Sequence, residues 1–565
     1  MINYILSQNW VLYWLPVSVA FTVIYRYYTR NFNYFTKMGV NGPKPVIIFG
    51  NLWELLFTSK DKLDIKRVRK YGKLFGIFDG NKPLLQIADP VLIKQILVKD
   101  FHMFTDRPLI SNASHPIANQ NLSIVRGQHW RRMRSMVSPT FTSGRMRQMY
   151  PMLGHCLQNL LATLDEYTTT GGKGVVDAYR VYGHYAMDTI AAGAWGMETD
   201  ALRDPNNPMV LSANRMGKLS GGKIFLTALV PPQLLVWLNI RSVRNEGPLN
   251  AMIELIGNLV REHRKSYQRS DDFIGLLLRA KPVTAKGRAT ATAGSAETDE
   301  SRDYEGHHIN DGTESKAIEK KVLDIVSDRE GEVEPLTDEE IIGNSLFFFI
   351  AGYEQMAATL SYITYELALN PDKQEKLYQE VSAVARAPVT GSITTTTTAG
   401  KITSDDHLEI PYDVLATLPY LDAVTSESMR IHSSPIKLRR YAMDDYVLPG
   451  TGGVRVLKGQ EVQIPTHGIH HMDEYFPESS RFIPERFMPE NRHKLTPYTY
   501  LPFGAGPRHC VGMRFALMEA KYALAHIVLH YRLSRCPETA VPPAVQNHPL
   551  LKLPQSVMLA IERRV

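Results

Sequence analysis

The stretch FGAGPRHCVG, residues 503–512, places a lone thiol, Cys510, in a glycine-rich turn just before an apolar helical pattern. Gly504 and Gly506 permit backbone conformations closed to other residues and let the chain approach a flat ligand closely. A helix N-terminus favours thiolate over thiol, which makes Cys510 a nucleophile or a metal ligand. A nucleophile wants a histidine base, and His509 is adjacent in sequence, so its ring need not face the sulfur. Zinc wants further ligands at short spacing, and Cys156 and Cys536 are far away. His509 in the third glycine position rules out a dinucleotide loop. A single axial thiolate on haem iron needs only one cysteine, and that reading fits.

Two other stretches carry candidate chemistry. ESMR, residues 427–430, sets an acid and a base three apart on one helix face, as a solvated pair or an acid/base dyad. SLFFFIAGYEQM, residues 345–356, is apolar on all faces and then meets Glu354 and Gln355. A helix of that composition runs buried through a large domain. Thr337 and Glu340 are spaced as a capping box at its start.

The rest of the chain must position these residues. With 565 residues, 44% of them hydrophobic, it can bury a large core. Three cysteines make no disulfide framework and point to a reducing compartment. The net charge of +7 comes without the Lys/Arg runs of a nucleic-acid binder, so the basic balance suits a membrane surface or an acidic protein partner. Residues 4–25 carry no charge and are followed by Arg26, Arg30 and Lys37, which predicts an uncleaved transmembrane anchor with its C-terminal side in the cytosol. Its firm apolar part is residues 10–25, and residues 41–51 read as a proline-stiffened hinge. Beyond the hinge the pattern is mainly helical, with short strand-like pieces such as LFGIF and PLLQIA. Residues 285–334 and 387–406 read as flexible insertions. Residues 223–240, broken by Pro231 and Pro232, read as an apolar patch dipping into a membrane interface or as buried core.

Four motifs in order, including WRRMRSMVSPTFTSG and FGAGPRHCVGMRFALM, give the chain a resemblance to the cytochrome P-450 family, the haem-thiolate monooxygenases. It looks nearest to the microsomal branch with the broad drug and steroid oxidases and thromboxane synthase. The resemblance implies a mainly α fold with a small β region: an anchor and basic stop over residues 1–40, then one catalytic domain over 41–565. It implies haem b with Cys510 as axial iron ligand in a loop shaped by Phe503, Gly504 and Gly512. Trp130, Arg134, Arg440 and Arg508 would hold the haem propionates, with Arg107 as a weaker candidate. Glu427, Arg430 and Arg486 would form one buried structural network, two guanidinium groups on one carboxylate.

On the oxygen side the resemblance implies that Ala351 and Gly352 leave space for dioxygen and that Glu354 supplies protons with ordered water. Most of the family follows that acid with threonine. This chain has Gln355, whose amide cannot relay a proton as a hydroxyl does. Two enzyme readings follow. One is NADPH-dependent oxygen insertion into an apolar small molecule, a xenobiotic, steroid or fatty-acid-like compound. The other is reductase-independent rearrangement or dehydration of lipid peroxides, as in thromboxane synthase. A haem gas sensor or ligand carrier is the non-enzymatic alternative. The chain has no glycine-rich nucleotide loop, so electrons would come from NADPH–cytochrome reductase, with cytochrome b5 as a second donor. Arg131, Arg132, Arg145 and Arg147 suit a basic face for an acidic reductase. Phe347, Ile350, Ala351, Pro435 and Ile436 would line an apolar pocket, and the implied location is the endoplasmic-reticulum membrane with the catalytic domain in the cytosol.

Overall fold

A computed structural model describes residues 2–108, 115–168, 172–204, 206–217, 237, 246–266, 271–280, 334–385, 410–546, 548 and 551–564. The fold is mainly helical with a small sheet region. The helices that matter to the site are α1 (Ile2–Thr29), α2 (Lys60–Tyr71), α3 (Gly127–Val137), α4 (Ser143–Tyr167), α5 (Ala178–Trp195), α6 (Glu246–Lys265), α7 (Asp338–Leu369), α8 (Pro419–Ile431) and α9 (Met513–His530).

LFGIF and PLLQIA fall in β1 (Leu74–Asp79) and β2 (Lys82–Ile87), an antiparallel pair. With β7 (Glu461–Ile464) and β4 (Leu438–Tyr441) they make a four-stranded sheet in the order β1-β2-β7-β4. β3 (Lys173–Asp177), β9 (Met558–Arg563) and β8 (Tyr531–Ser534) form a second sheet, and β5 (Tyr446–Val447) pairs with β6 (Arg455–Val456). One apolar cluster fills the helical body and another lies around the four-stranded sheet.

α7 is the axis of the helical body, and its start is set locally. The Thr337 hydroxyl accepts the Glu340 N–H at 3.2 Å, and the Glu340 carboxylate accepts the Thr337 N–H at 2.9 Å. The capping box expected from the sequence is present. α5 packs along α7, with the Trp195 and Phe349 rings stacked 4.8 Å apart.

The transmembrane anchor needs correction. α1 is long enough, but no helix among the described residues is both long and apolar enough to cross a membrane. Asn3, Ser7, Gln8, Asn9, Ser18 and Thr22 dilute it, and its firm apolar part, residues 10–25, is shorter than the ~20 residues a span needs. The insertion at 387–406, nearly all of that at 285–334 and all of the 223–240 patch except Trp237 lie outside the described residues. Trp237 is exposed.

Candidate active site

The cysteine loop is held by its own backbone. The Cys510 N–H donates to the Phe503 carbonyl and the His509 N–H to the Gly506 carbonyl, each at 2.9 Å. Gly504 and Gly506 take the left-handed φ values of +73° and +70°. At Gly506 a Cβ would stand 1.8 Å from the Leu97 carbonyl oxygen, so no other residue fits. Gly512 has an ordinary φ of −90° and caps α9, which begins at Met513. A Cβ there would meet the Phe141 and Phe348 rings at 3.7 and 3.9 Å, an ordinary contact. Its place at the helix start matters more than its lack of a side chain.

Cys510 is exposed on one side, yet protein packs densely enough around it that desolvation raises its thiol pKa. The Gly512 N–H and the charges of Arg134 and Arg107 pull the other way, toward thiolate. The other cysteines do not share this setting. Cys156 is buried and its thiol is pushed up to about 12, chiefly by desolvation. The Cys536 sulfur lies 3.3 Å from the Thr539 hydroxyl.

Four arginines gather at the loop. Arg107 donates to the Arg508 carbonyl at 2.6 Å, and Arg134 donates to the His509 carbonyl at 3.1 Å. Arg440 donates to the Arg439 carbonyl at 2.9 Å, while its Nε is buried with no hydrogen-bond partner among the described residues. Arg508 donates to the carbonyls of Thr105, Leu122 and Val125 at 2.9, 3.2 and 2.9 Å, so it clips two backbone segments to the cysteine loop. Its guanidinium lies 4.2 Å over the buried Trp130 ring.

Asp106, 3.7 Å from Arg508, is the carboxylate facing this group, and among the described residues Arg107 and Arg440 have none in ion-pair reach. Burial and the Arg107 charge push the Arg440 guanidinium down to about 9. Burial, Arg107, Arg440 and Arg134, outweighing Asp106, push Arg508 to about 8. Guanidinium groups hold their protons tenaciously, so this excess of positive charge would suit an anionic ligand. The residues fit a flat group bearing carboxylates and needing one thiolate, as haem does. Arg107, the weaker candidate from the sequence, ranks with the others here.

The ESMR pair is closed. Arg430 grips Glu427 with two hydrogen bonds of 2.8 Å, both side chains fully buried, and donates onward to the His470 and Arg481 carbonyls. Arg486 reaches Glu427 through a single longer contact of 3.4 Å, so the second guanidinium does not bind bidentately. The Ile483 N–H fills the place at 2.9 Å, a backbone donor that sequence spacing could not reveal.

In the middle of α7, Phe347, Phe348 and residues 350–355 are only half-buried, although the helix is otherwise core. Phe348 of that run lies by the cysteine loop, its ring 3.9 Å from where a Cβ on Gly512 would stand. Within the run, Gly352 has a packing role: a Cβ would stand 2.4 Å from the Ile190 side chain of α5. The room left by this glycine is taken by a neighbouring helix. Ala351 is half-buried beside it. Gln355 makes no side-chain hydrogen bond among the described residues. The charge of Glu354 raises the phenols of Tyr179 and Tyr353, which places it beside both, although desolvation is the larger cause for each. Pro435 is half-buried, while Ile436 is 3% exposed and offers little surface.

The basic face is mostly spent within the chain. Arg132 binds Glu340 and the Glu334 and Pro335 carbonyls, Arg145 faces Asp271 at 3.4 Å, and Arg147 pairs with Asp413 at 2.7 Å.

Comparison with known proteins agrees with this geometry. The family described as Cytochrome P450 matches residues 40–561. Cytochrome P450 3A17 of Cavia porcellus is 30% identical over 559 residues, spanning 98% of this chain and 96% of the relative. Cytochrome P450 3A2 of Rattus norvegicus is 30% identical over 557 residues, 97% of this chain and 96% of its own. Cytochrome P450 3A29 of Sus scrofa is 30% identical over 558 residues, with the same coverage. With a family match over most of its length and relatives aligned nearly end to end, the chain belongs to the cytochrome P450 family, a monooxygenase oxidoreductase that holds haem b through a cysteine thiolate.

Proposed function

We propose that the protein inserts one oxygen atom of dioxygen into an apolar small molecule of the xenobiotic, steroid or fatty-acid-like class, with Cys510 as the haem ligand. The observation that carries this reading is the meeting of one thiol with Arg107, Arg134, Arg440 and Arg508 at the start of α9. Haem bound there supplies iron at which dioxygen is reduced, one oxygen going to substrate and one to water. The Gly512 N–H and the charges of Arg134 and Arg107 favour the thiolate of Cys510, against the desolvation that raises its pKa. Arg440 and Arg107 offer donors to propionates, with Arg134 beside them, and Trp130 and Arg508 keep the loop rigid. Phe347, Ile350 and Ala351 give substrate an apolar wall. Glu354 passes protons into the site.

Electrons come from NADPH through a separate reductase, with cytochrome b5 as a second donor. The reductase meets a surface in which Arg131, Arg145 and Arg147 are partly exposed. Location at the endoplasmic-reticulum membrane, with the site in the cytosol, is supported by bare apolar residues. Trp14, Leu15, Phe21 and Val23 are exposed on α1, and Leu56 and Phe57, 68% and 77% exposed, follow the hinge. These residues suit contact with a lipid surface without a span.

The lipid-peroxide reading rests on Gln355, which brings no hydroxyl to the site. Turnover separates the two. Product that requires NADPH and reductase supports oxygen insertion, whereas equal turnover of a lipid hydroperoxide without either supports rearrangement.

A further inference from the structure

At a spacing of four residues, α7 carries Glu354, Ala358, Tyr362 and Glu366. Side chains so spaced lie one above another on a helix. The first is the acid assigned above to proton supply, and the others lead away from it toward the end of α7. Tyr179, in the first turn of α5, packs on Ala358 and Tyr362, and its hydroxyl accepts from the Gln546 amide at 3.4 Å. His432 stacks on the Tyr362 ring at 4.1 Å with the planes parallel, and its Nε2 lies 2.6 Å from the Glu366 carboxylate.

Polar groups continue past His432. The Ser433 hydroxyl is 2.9 Å from His467 Nδ1, and His467 Nε2 is 3.5 Å from the Lys552 ammonium. Lys552 stands 4.0 Å from Asp61 of α2, beside the exposed Lys62. Along this run Tyr362 Oη, His432 Nδ1 and Ser434 Oγ are buried with no hydrogen-bond partner among the described residues. A tether between α7 and α8 would explain the His432–Glu366 pair. It leaves three neighbouring buried polar atoms unexplained, and such atoms are rare in a core unless water serves them.

We propose that this stripe of α7 holds a file of water that carries protons from the Asp61–Lys552 end to Glu354. The inference rests on the oxygen-insertion reading. That reaction takes substrate RH, O2, two electrons and two protons to ROH and H2O. NADPH supplies the electrons through the reductase, and the solvent supplies the protons. Along the file each O–H bond that breaks is matched by one formed on the next water, so no side chain is consumed. The path replaces what Gln355 cannot provide. Tyr362 and His432 are positioning residues, since they hold water and touch no substrate.

The test uses the holoenzyme. Tyr362→Phe removes the hydroxyl and keeps the ring that stacks on His432. Product per NADPH should fall several-fold, less than the roughly 10²–10⁴ that fully positioned proton transfer contributes, with KM unchanged and a larger solvent deuterium isotope effect. Independently of turnover, a high-resolution crystal structure of the wild type should show ordered water within hydrogen-bond reach of Tyr362 Oη, His432 Nδ1 and Ser434 Oγ. NADPH-driven product with unchanged coupling in Tyr362→Phe, or no water at those atoms, overturns the path alone. Turnover of a lipid hydroperoxide without NADPH, a reaction that consumes no protons, overturns the path together with the reading beneath it.

Discussion

Glu427 and Arg430 are as deeply buried as Arg440 and Arg508, yet the first pair is closed and the second group is open. Every donor of the Arg430 guanidinium that reaches out finds a carboxylate or a carbonyl, and Glu427 is also met by the Ile483 N–H. At the cysteine loop, among the described residues, Asp106 pairs with Arg508, Arg107 and Arg440 have no carboxylate in ion-pair reach, and Arg440 keeps a buried nitrogen with no hydrogen-bond partner. In a low-dielectric interior a charge needs its counter-charge close by. A group balanced within the chain holds the fold. A group left cationic holds a ligand that brings the missing negative charge.

Breaking the closed pair should give the largest effect. Arg430→Leu strands the Glu427 carboxylate at a cost of about 3–5 kcal/mol, and the expected outcome is loss of folded haem protein. Replacing Glu427 by Met in the same chain should recover much of that loss, because an apolar pair leaves no buried charge behind. Denaturant unfolding of the single and double variants checks this. A single variant as stable as the wild type would show that the network is not structural.

The open group should respond in the opposite sense. Arg440→Gln removes a buried cation that lacks a carboxylate, so the fold should survive while haem is held less tightly. Losing charge-assisted hydrogen bonds of ~1.5–3 kcal/mol corresponds to haem loss roughly ten- to a hundredfold faster, measured by transfer to an excess of an apo-haem acceptor. A variant that unfolds as Arg430→Leu does would erase the distinction between the two groups.

A smaller effect comes from a third buried charge. Glu519 of α9 is 0% exposed, its Oε1 accepts from the Thr189 hydroxyl at 2.5 Å, and its Oε2 has no partner among the described residues. Burial pushes its carboxyl from 4.5 to about 8, against the pull of Thr189. The native state therefore binds a proton that the unfolded chain releases. Its contribution to stability is whole below about 4.5 and is lost as pH rises through about 8. Glu519→Gln should remove this fall, so the stability difference from the wild type should widen from pH 5 to pH 8 and then level off. Parallel unfolding curves across that range would contradict it.

What the sequence revealed was local. The Cys510 loop, the capping box at Thr337 and the pairing of Glu427 with Arg430 lie within a few residues, where helix periodicity and turn chemistry dictate geometry. Contacts across the chain were hidden. His432 and Glu366 stand 66 residues apart, and Gly352 is fixed by Ile190 on another helix. Arg132 belongs to Glu340 and the start of α7, a pairing that a count of basic residues could not anticipate. For α1, freedom from charge over residues 4–25 was a poor guide, because scattered amide and hydroxyl side chains lower apolarity without adding charge. The stripe from Glu354 to Glu366 took its meaning only from the packing of Tyr179 and His432.

The central claim is that Cys510 alone supplies the axial thiolate. The direct measurement is the absorbance spectrum of the reduced carbon-monoxide complex in the wild type and in serine variants of each cysteine. The wild type should show the strongly red-shifted Soret band of thiolate ligation, Cys510→Ser should lose it, and Cys156→Ser and Cys536→Ser should keep it unchanged. A Cys510→Ser protein that retains the band, or a wild type that never shows it, would contradict the assignment.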